Sequence, residues 1–206
     1  NKNALIIFTR NPELGKCKTR LATVIGDDAA LRIYQMLLKH TAKVTRNTSA
    51  HKYVFYTEKI VKDDVWENSI FNRKLQQGGD LGEKMENAFQ EIFKLNYQKV
   101  IIVGSDLFDL STNIIEDAFN QLNKHDIVIG PSEDGGYYLL GMKKLHPQLF
   151  INKDWSSQNV LTQTLESSEE QTIFLMPTLN DIDTYEDLKS SSYFQEHYKQ
   201  IDTIKS

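Results

Sequence analysis

Val100-Ile101-Ile102-Val103 runs directly into Gly104-Ser105-Asp106, followed by Leu107-Phe108-Asp109-Leu110. Four consecutive apolar residues, most of them β-branched, show no alternation. Such a strand is covered on both faces, the habit of a central parallel strand. The chain leaves it through a glycine and at once presents a carboxylate. In open α/β sheets ligands bind beyond the carboxyl ends of the strands, so Asp106 is the first candidate for function. The same carboxylate could equally cap or order the turn before the next helix.

The segments on either side repeat the theme. Ala4-Leu5-Ile6-Ile7-Phe8 reads as a first buried strand, and Thr9 to Arg20 as a loop, broken by Asn11-Pro12 and Leu14-Gly15. That loop carries Arg10, Lys16, Lys18 and Arg20, a density of cations suited to a phosphate cradle. It lacks the Gly-Lys-Ser/Thr of a Walker A loop. A helix capped by Asp27 or Asp28 is expected to reach about Thr45, with Ala30, Ile33, Tyr34, Leu37, Leu38 and Thr41 on one face. Tyr53–Tyr56 is the next strand, and Trp66 in the ambiguous segment 61–71 is read as core. Lys74–Gln77 is a short strand leading to Gly78-Gly79-Asp80. There the glycines allow close backbone approach to a ligand, while Asp80 could simply cap the helix that buries Met85, Ala88, Phe89, Ile92 and Phe93.

After the central strand a helix places Ile114, Ile115, Ala118, Phe119 and Leu122 on one face. Asp126–Gly130 is a further buried strand. It stops at Pro131-Ser132-Glu133-Asp134-Gly135-Gly136-Tyr137, a tight turn at the same sheet edge, and Leu139–Gly141 resumes extended structure. Beyond Met142 the pattern is irregular until a helix with Val160, Leu161, Thr164 and Leu165, then a late strand at 172–175. Thr184 and Asp187 fit a capping box. The tail from Ser190 to Ser206 reads as a terminal surface helix. Strands alternating with helices predict a doubly wound, mostly parallel sheet with right-handed crossovers, in one domain spanning 1–206.

The totals narrow the partners. A chain of 206 residues with net charge −4 is a poor general binder of nucleic acid or membrane surfaces. One cysteine, Cys17, excludes an internal disulfide framework and points to the cytoplasm. No apolar run is long enough to insert into a membrane. The histidines are scattered, with no zinc-type pair and no Ser-His-Asp set. What converges on the strand ends is a cationic loop and the carboxylates Asp106, Asp134, Asp181 and Asp183. That set suits nucleotide phosphates with a magnesium or manganese ion, since Mg²⁺ takes hard oxygen ligands, often one or two carboxylates plus substrate phosphates.

Five stretches in order resemble a bacterial family named as glycosyltransferases and often called selenodomain-associated transferase 1. They are Phe8–Leu21, Gly79-Asp80-Leu81-Gly82-Glu83-Lys84-Met85, Gly104-Ser105-Asp106, Gly130–Tyr138 and Asp181–Leu188. The family belongs to the nucleotide-diphospho-sugar transferase superfamily. The resemblance covers about residues 4–190 and implies a three-layer α/β/α fold of the glycosyltransferase A type. It implies a nucleotide or nucleotide sugar held by Phe8, Thr9, Arg10, Gly15, Lys16, Lys18, Arg20 and Asp80. It implies a metal on Asp106 with Asp181 or Asp183, and a small-molecule acceptor facing Glu133, Asp134, Gly135, Gly136 and Tyr137. Lys18, Arg20, Asp106 and Asp134 are the catalytic candidates. Where the family usually has Cys-Pro after the aspartate, this chain has Leu107-Phe108. The expected activity is metal-dependent glycosyl transfer from a nucleoside diphosphate sugar. The alternatives are nucleotidyl transfer from a nucleoside triphosphate to a phosphorylated acceptor, and nucleotide binding without turnover; the sequence leaves the oligomeric state open.

Overall fold

The computed structural model describes residues 2–155 and 157–191; the expected terminal helix lies outside them. Its centre is a seven-stranded sheet in the order β3-β2-β1-β4-β6-β5-β7, built from β1 (Asn3–Thr9), β2 (His51–Tyr56), β3 (Phe71–Leu75), β4 (Lys99–Val103), β5 (Ile127–Pro131), β6 (Tyr137–Met142) and β7 (Ile173–Leu175). Neighbours are parallel throughout except at β6, which runs antiparallel to both β4 and β5. The expected mostly parallel α/β sheet is present. The decisive strand β4 has a parallel neighbour on one side only, with Val103 beside Ile7 of β1 and Leu139 of β6.

Alternation sorts each strand between two cores. Leu5, Ile7, Val54, Ile101 and Val103 face one way, packing with helix α2 (Asp27–Arg46) and helix α4 (Thr112–Gln121). Ala4, Ile6, Phe55, Ile102 and Leu140 face the other way, packing with helix α3 (Leu81–Phe93) and the segment around Phe150. These are the three layers. A third cluster joins α1 (Thr19–Ile25), α2 and α6 (Tyr185–Ser190) through Leu21, Ile33, Leu37, Ile182 and Leu188. It fixes the segment after β7 beside the loop after β1. Among the described residues the remaining α-helix is α5 (Val160–Glu166), preceded by a short 3-10 turn at Pro147–Leu149.

Local chemistry explains the boundaries. The N-cap of α2 is Gly26 at φ 85°, so Asp27 and Asp28 lie in the first turn. They complement the helix dipole and do not cap. Asp80 is the N-cap of α3: its side chain accepts from Glu83 N at 2.8 Å, while Gly79 N donates to Glu83 Oε2 at 2.7 Å. Thr184 and Asp187 form the expected capping box. β3 starts earlier than read, because pairing with Lys52–Tyr56 spans Phe71–Leu75, and Phe71 is buried against Trp66. The irregular 61–66 stretch folds around the Arg73 guanidinium, which donates to the carbonyls of Val61, Lys62 and Trp66 and to Asp64.

The edge strand β7 is held by Asp126. Its Oδ2 accepts from Thr172 N at 3.1 Å and Thr172 Oγ1 at 2.7 Å, and Lys143 Nζ stands 3.2 Å from Oδ1. The Thr172 bonds, aided by Lys143, lower the carboxyl to about 2. An unfolded aspartate titrates near 3.9, so the native state favours the ionised form. This contribution is complete above the unfolded value and is lost as pH falls through the folded one. Asp126→Asn should lower stability by about 1 kcal/mol at pH 7. In urea melts the gap to the wild type should close between pH 4 and 2; a gap constant across that range would remove the carboxylate from this role.

Candidate active site

The carboxyl ends of β1 and β4 and the amino end of the antiparallel β6 open onto a cleft of about 580 Å³. Its floor is Ile102, Val103, Leu139 and Leu140. One side is charged, with Arg20, Asp106, Asp181 and Asp183; the other carries Leu81, Met85, Tyr137, Trp155 and Val160.

The charged side is organised by Lys18. Only 5% of its side chain is exposed, and Nζ lies 2.8 Å from Asp106 Oδ2 and 3.4 Å from Asp183 Oδ1. Burial alone would lower the Lys18 pKa, but Asp106, Asp183 and Asp181 raise it above its ordinary value. Burial would raise the Asp106 carboxyl; the Lys18 charge and hydrogen bond outweigh that, with Arg10 further off, and hold it below the usual range. Arg20, exposed at the mouth, hydrogen-bonds Asp183 Oδ2. Asp181 is pushed the other way, up to about 6, by its own burial and then by the charge of Asp106, with Asp134 and Asp183 adding and Lys18 opposing. Negative charge exceeds positive here.

Lys18 reaches this position at a backbone cost. It is the N-cap residue of α1 at φ 51°, ψ 47°, the left-handed region that a non-glycine residue occupies at roughly 1–2 kcal/mol. The surrounding loop over-determines it. Tyr34 OH accepts from Arg10 N at 2.9 Å, donates to Arg10 O at 3.1 Å and lies 3.3 Å from Ser105 Oγ. Asn11 is buried, its Oδ1 accepting from Glu58 N at 3.0 Å and its Nδ2 donating to Lys59 O at 2.9 Å. Cys17 Sγ donates to Asn11 O at 3.4 Å.

The loop's other candidates go elsewhere. Lys16 turns outward to Glu13 at 2.7 Å, with Glu58 at 3.9 Å. Arg10 Nη1 donates to Lys16 O at 3.2 Å, bracing the loop. Thr9 is buried beneath the site beside Ser105, and Gly15 provides a turn at φ 72°. Phe8 lines the cleft, whereas Asp80 is engaged as a helix cap outside its lining.

At the turn after β5, Asp134 Oδ1 accepts from Gly136 N at 3.0 Å and from Ser132 Oγ. Asp134, Gly136 and Tyr137 line the cleft; Glu133 and Gly135 do not. The close approach that Gly135 permits is to protein. A Cβ there would collide with Gln158 O, and Gly135 O accepts from Leu161 N at 2.9 Å. Leu107-Phe108 packs beside the carboxylate, which is held in place by Lys18. Leu107 is buried, Phe108 lies 4.4 Å ring to ring from His40, and His40 Nε2 is 2.9 Å from Leu110 O. Two contributors were missed from sequence: Tyr34, whose helical spacing marked it only as scaffold, and the wall residues Trp155 and Gln158, which lie before the periodic helix. A tryptophan just before a helix is the signal that could have flagged the wall.

This sheet order with a cleft at the strand ends is the fold of nucleotide-diphospho-sugar and cytidylyl transferase structures. A structure from Desulfovibrio desulfuricans G20, provisionally described as a nucleotide-diphospho-sugar transferase, superposes with a TM-score of 0.86 at 29% identity, covering 99% of this chain and 98% of that one. The 4-diphosphocytidyl-2C-methyl-D-erythritol synthase of Anaerococcus prevotii DSM 20548 shares the fold alone, with TM-score 0.63, 12% identity and 96% coverage of both chains. The chain belongs to the family described as "Uncharacterized protein conserved in bacteria (DUF2064)", which matches residues 40–157. In sequence it is also similar to the 2-phospho-L-lactate guanylyltransferase of Methanocaldococcus vulcanius, 27% identical over 139 residues. That alignment takes in 68% of this chain but spans only 61% of the relative's length.

Removing Lys18 leaves partly buried carboxylates facing one another. Lys18→Met should lower stability by about 1–3 kcal/mol. Adding Asp106→Asn should restore at least half of that loss, because the two changes share one interaction. Chemical denaturation of the two single variants and the double variant measures the coupling; simple additivity would mean that the pair is not coupled.

Proposed function

We propose that the protein transfers a glycosyl group from a nucleoside diphosphate sugar to a small acceptor, with a divalent cation. The observation that carries this reading is the Lys18–Asp106–Asp183 cluster on the charged side of the cleft, with Arg20 at its mouth. Arg20 lies where a diphosphate would approach and the buried Lys18 stands behind Asp106, both engaged by carboxylates that a divalent ion could take over. The donor chemistry fits such an ion. Asp106, Asp181 and Asp183 offer hard oxygens, and Asp181, displaced upward first by burial and then by the charge of Asp106, is a carboxylate that a nearby cation would favour in its ionised form. Among the described residues no group of three or more His, Cys, Asp or Glu is poised to hold a metal unaided. An ion sharing its coordination between one or two carboxylates and substrate phosphates needs none. Bound there, it would supply charge neutralisation of the departing diphosphate.

The chain's own residues then have distinct tasks. Lys18 and Arg20 hold the diphosphate and stabilise the charge it gains as the bond from the anomeric carbon to the phosphate oxygen breaks. The acceptor oxygen forms the new bond to that carbon. Asp134 is oriented by its Oδ1 bonds to Ser132 and Gly136, and its other oxygen takes the acceptor's proton. Phe8 offers the donor an apolar surface.

Charge favours this donor over a triphosphate. Lys18 and Arg20 face four carboxylates, which leaves little to hold three phosphates and a phosphorylated acceptor together. Nucleotidyl transfer is the second reading, supported by similarity to the guanylyltransferase. The motif resemblance to the selenodomain-associated transferases supports the first.

A thermal-shift panel of UDP, GDP, CDP and ADP sugars and the corresponding triphosphates, each with and without Mg²⁺ or Mn²⁺, tests the donor site. A ligand at 100 times its dissociation constant stabilises by roughly 2.7 kcal/mol. One nucleoside diphosphate sugar should give a metal-dependent shift that Asp106→Asn abolishes. Released nucleoside diphosphate identifies glycosyl transfer. Pyrophosphate release from a triphosphate would replace this reading with the second.

A further inference from the structure

The side of the cleft away from Lys18 has a chemistry of its own. Its wall is Tyr137, Trp155, Gln158 and Val160, joined by Ser132 and Asp134 at the turn after β5. Trp155 is half-buried, and its indole lies against the first turn of α3. A Cβ on Gly82 would stand 2.6 Å from Trp155 Nε1 and 2.6 Å from Phe150 O, so the glycine makes the indole's seat. The wall is locked to the Asp134 turn by the bond from Leu161 N to Gly135 O and by the packing of Gly135 on Gln158.

Among the described residues lining the cleft, Arg20 is the one Lys or Arg, and it is committed to Asp183 on the opposite side. The wall itself offers an indole, a valine, neutral hydrogen-bonding groups and the acid Asp134. A phosphate group there would meet a carboxylate and no cation. A ring or chain bearing hydroxyls would find an aromatic face for its apolar side and Ser132, Gln158 and Asp134 for its polar one.

We propose that the acceptor is an uncharged hydroxyl compound that lays an apolar face against Trp155, and not a phosphate ester. This rests on the transferase reading above and names the substrate class of that site. Trp155 is then the specificity-determining residue.

Two probes that share a ring and differ in charge test it: 4-nitrophenyl glucoside and 4-nitrophenyl phosphate. The chain has two tryptophans, and Trp66 is buried at 1% exposure, so quenching of indole fluorescence by the nitrophenyl ring reports Trp155. The glucoside should quench saturably, and the phosphate should bind at least 10-fold more weakly. Trp155→Phe should remove the saturable signal while the protein still unfolds in one cooperative transition, and Gln158→Arg should reverse the preference. Equal or tighter binding of the phosphate, a glucoside signal that persists in Trp155→Phe, or no glucoside binding would each overturn the proposal. Nucleoside diphosphate release is read separately. Glucoside binding without release from any donor keeps the subsite and removes the glycosyl-transfer reading; release without glucoside binding does the reverse.

Discussion

A buried ammonium group between two carboxylates is the constraint on which the rest of this molecule depends. Lys18 Nζ has little water around it and must be neutralised where it lies, 2.8 Å from Asp106 and 3.4 Å from Asp183. Those carboxylates come from sequence positions far apart, one at the end of β4 and one after β7. The ammonium therefore does tertiary work, tying the first loop of the chain to its last described segment. The strained left-handed backbone of Lys18 persists because Tyr34, Asn11 and Cys17 hold the flanking loop, and because Leu21 and Ile182 are buried in one cluster behind it.

That arrangement also explains the asymmetry of the cleft. The lysine satisfies Asp106 and Asp183 but leaves Asp181 with its burial and the like charge of Asp106 largely unopposed, which is why its carboxyl rises to about 6 while that of Asp106 falls. Two aspartates on one rim are displaced in opposite directions, because the Lys18 contact outweighs burial at Asp106 and does not at Asp181. Perturbations of this kind gather where a ligand's charge is expected. The opposite wall is held by the Leu161–Gly135 backbone bond and the packing of Trp155 on Gly82, and its apolar face is anchored by neutral contacts beside the acid Asp134.

The sequence disclosed what depends on periodicity. Uninterrupted apolar runs located β1, β4 and β5, and the helical spacing of Met85, Ala88, Phe89 and Ile92 located α3, because burial on one or both faces writes itself along the chain. Strand ends then nominated Asp106, Asp134, Asp181 and Asp183, all of which reach one cleft. Side-chain direction was not legible. Lys16 and Lys18 look alike in sequence, yet one faces Glu13 in solvent and the other is buried against Asp106, a difference set by the backbone turn at Lys18. Asp80 and Gly135 looked available to a ligand and are spent on protein contacts, a helix cap and the Gln158 backbone. The antiparallel insertion of β6 beside β4 was equally hidden, since a strand buried on both faces reads the same whichever way its neighbour runs.

The turn after Asp106 shows which part of a motif the geometry requires. Leu107 and Phe108 replace the Cys-Pro of the resembling family, a change that could have re-aimed the carboxylate. It does not need to. Asp106 O accepts from Ile182 N at 3.3 Å, and the side chain is drawn to Lys18, so its position is fixed from outside its own turn. The two substituted side chains go into the core and against His40, which in turn holds Leu110 O. The carboxylate is thus set by a backbone tie to the later segment and a charge from the earlier one. The residues that follow it are free to vary with whatever packing α2 offers, and the departure from the motif is a change in the hydrophobic support of the site with its polar geometry intact.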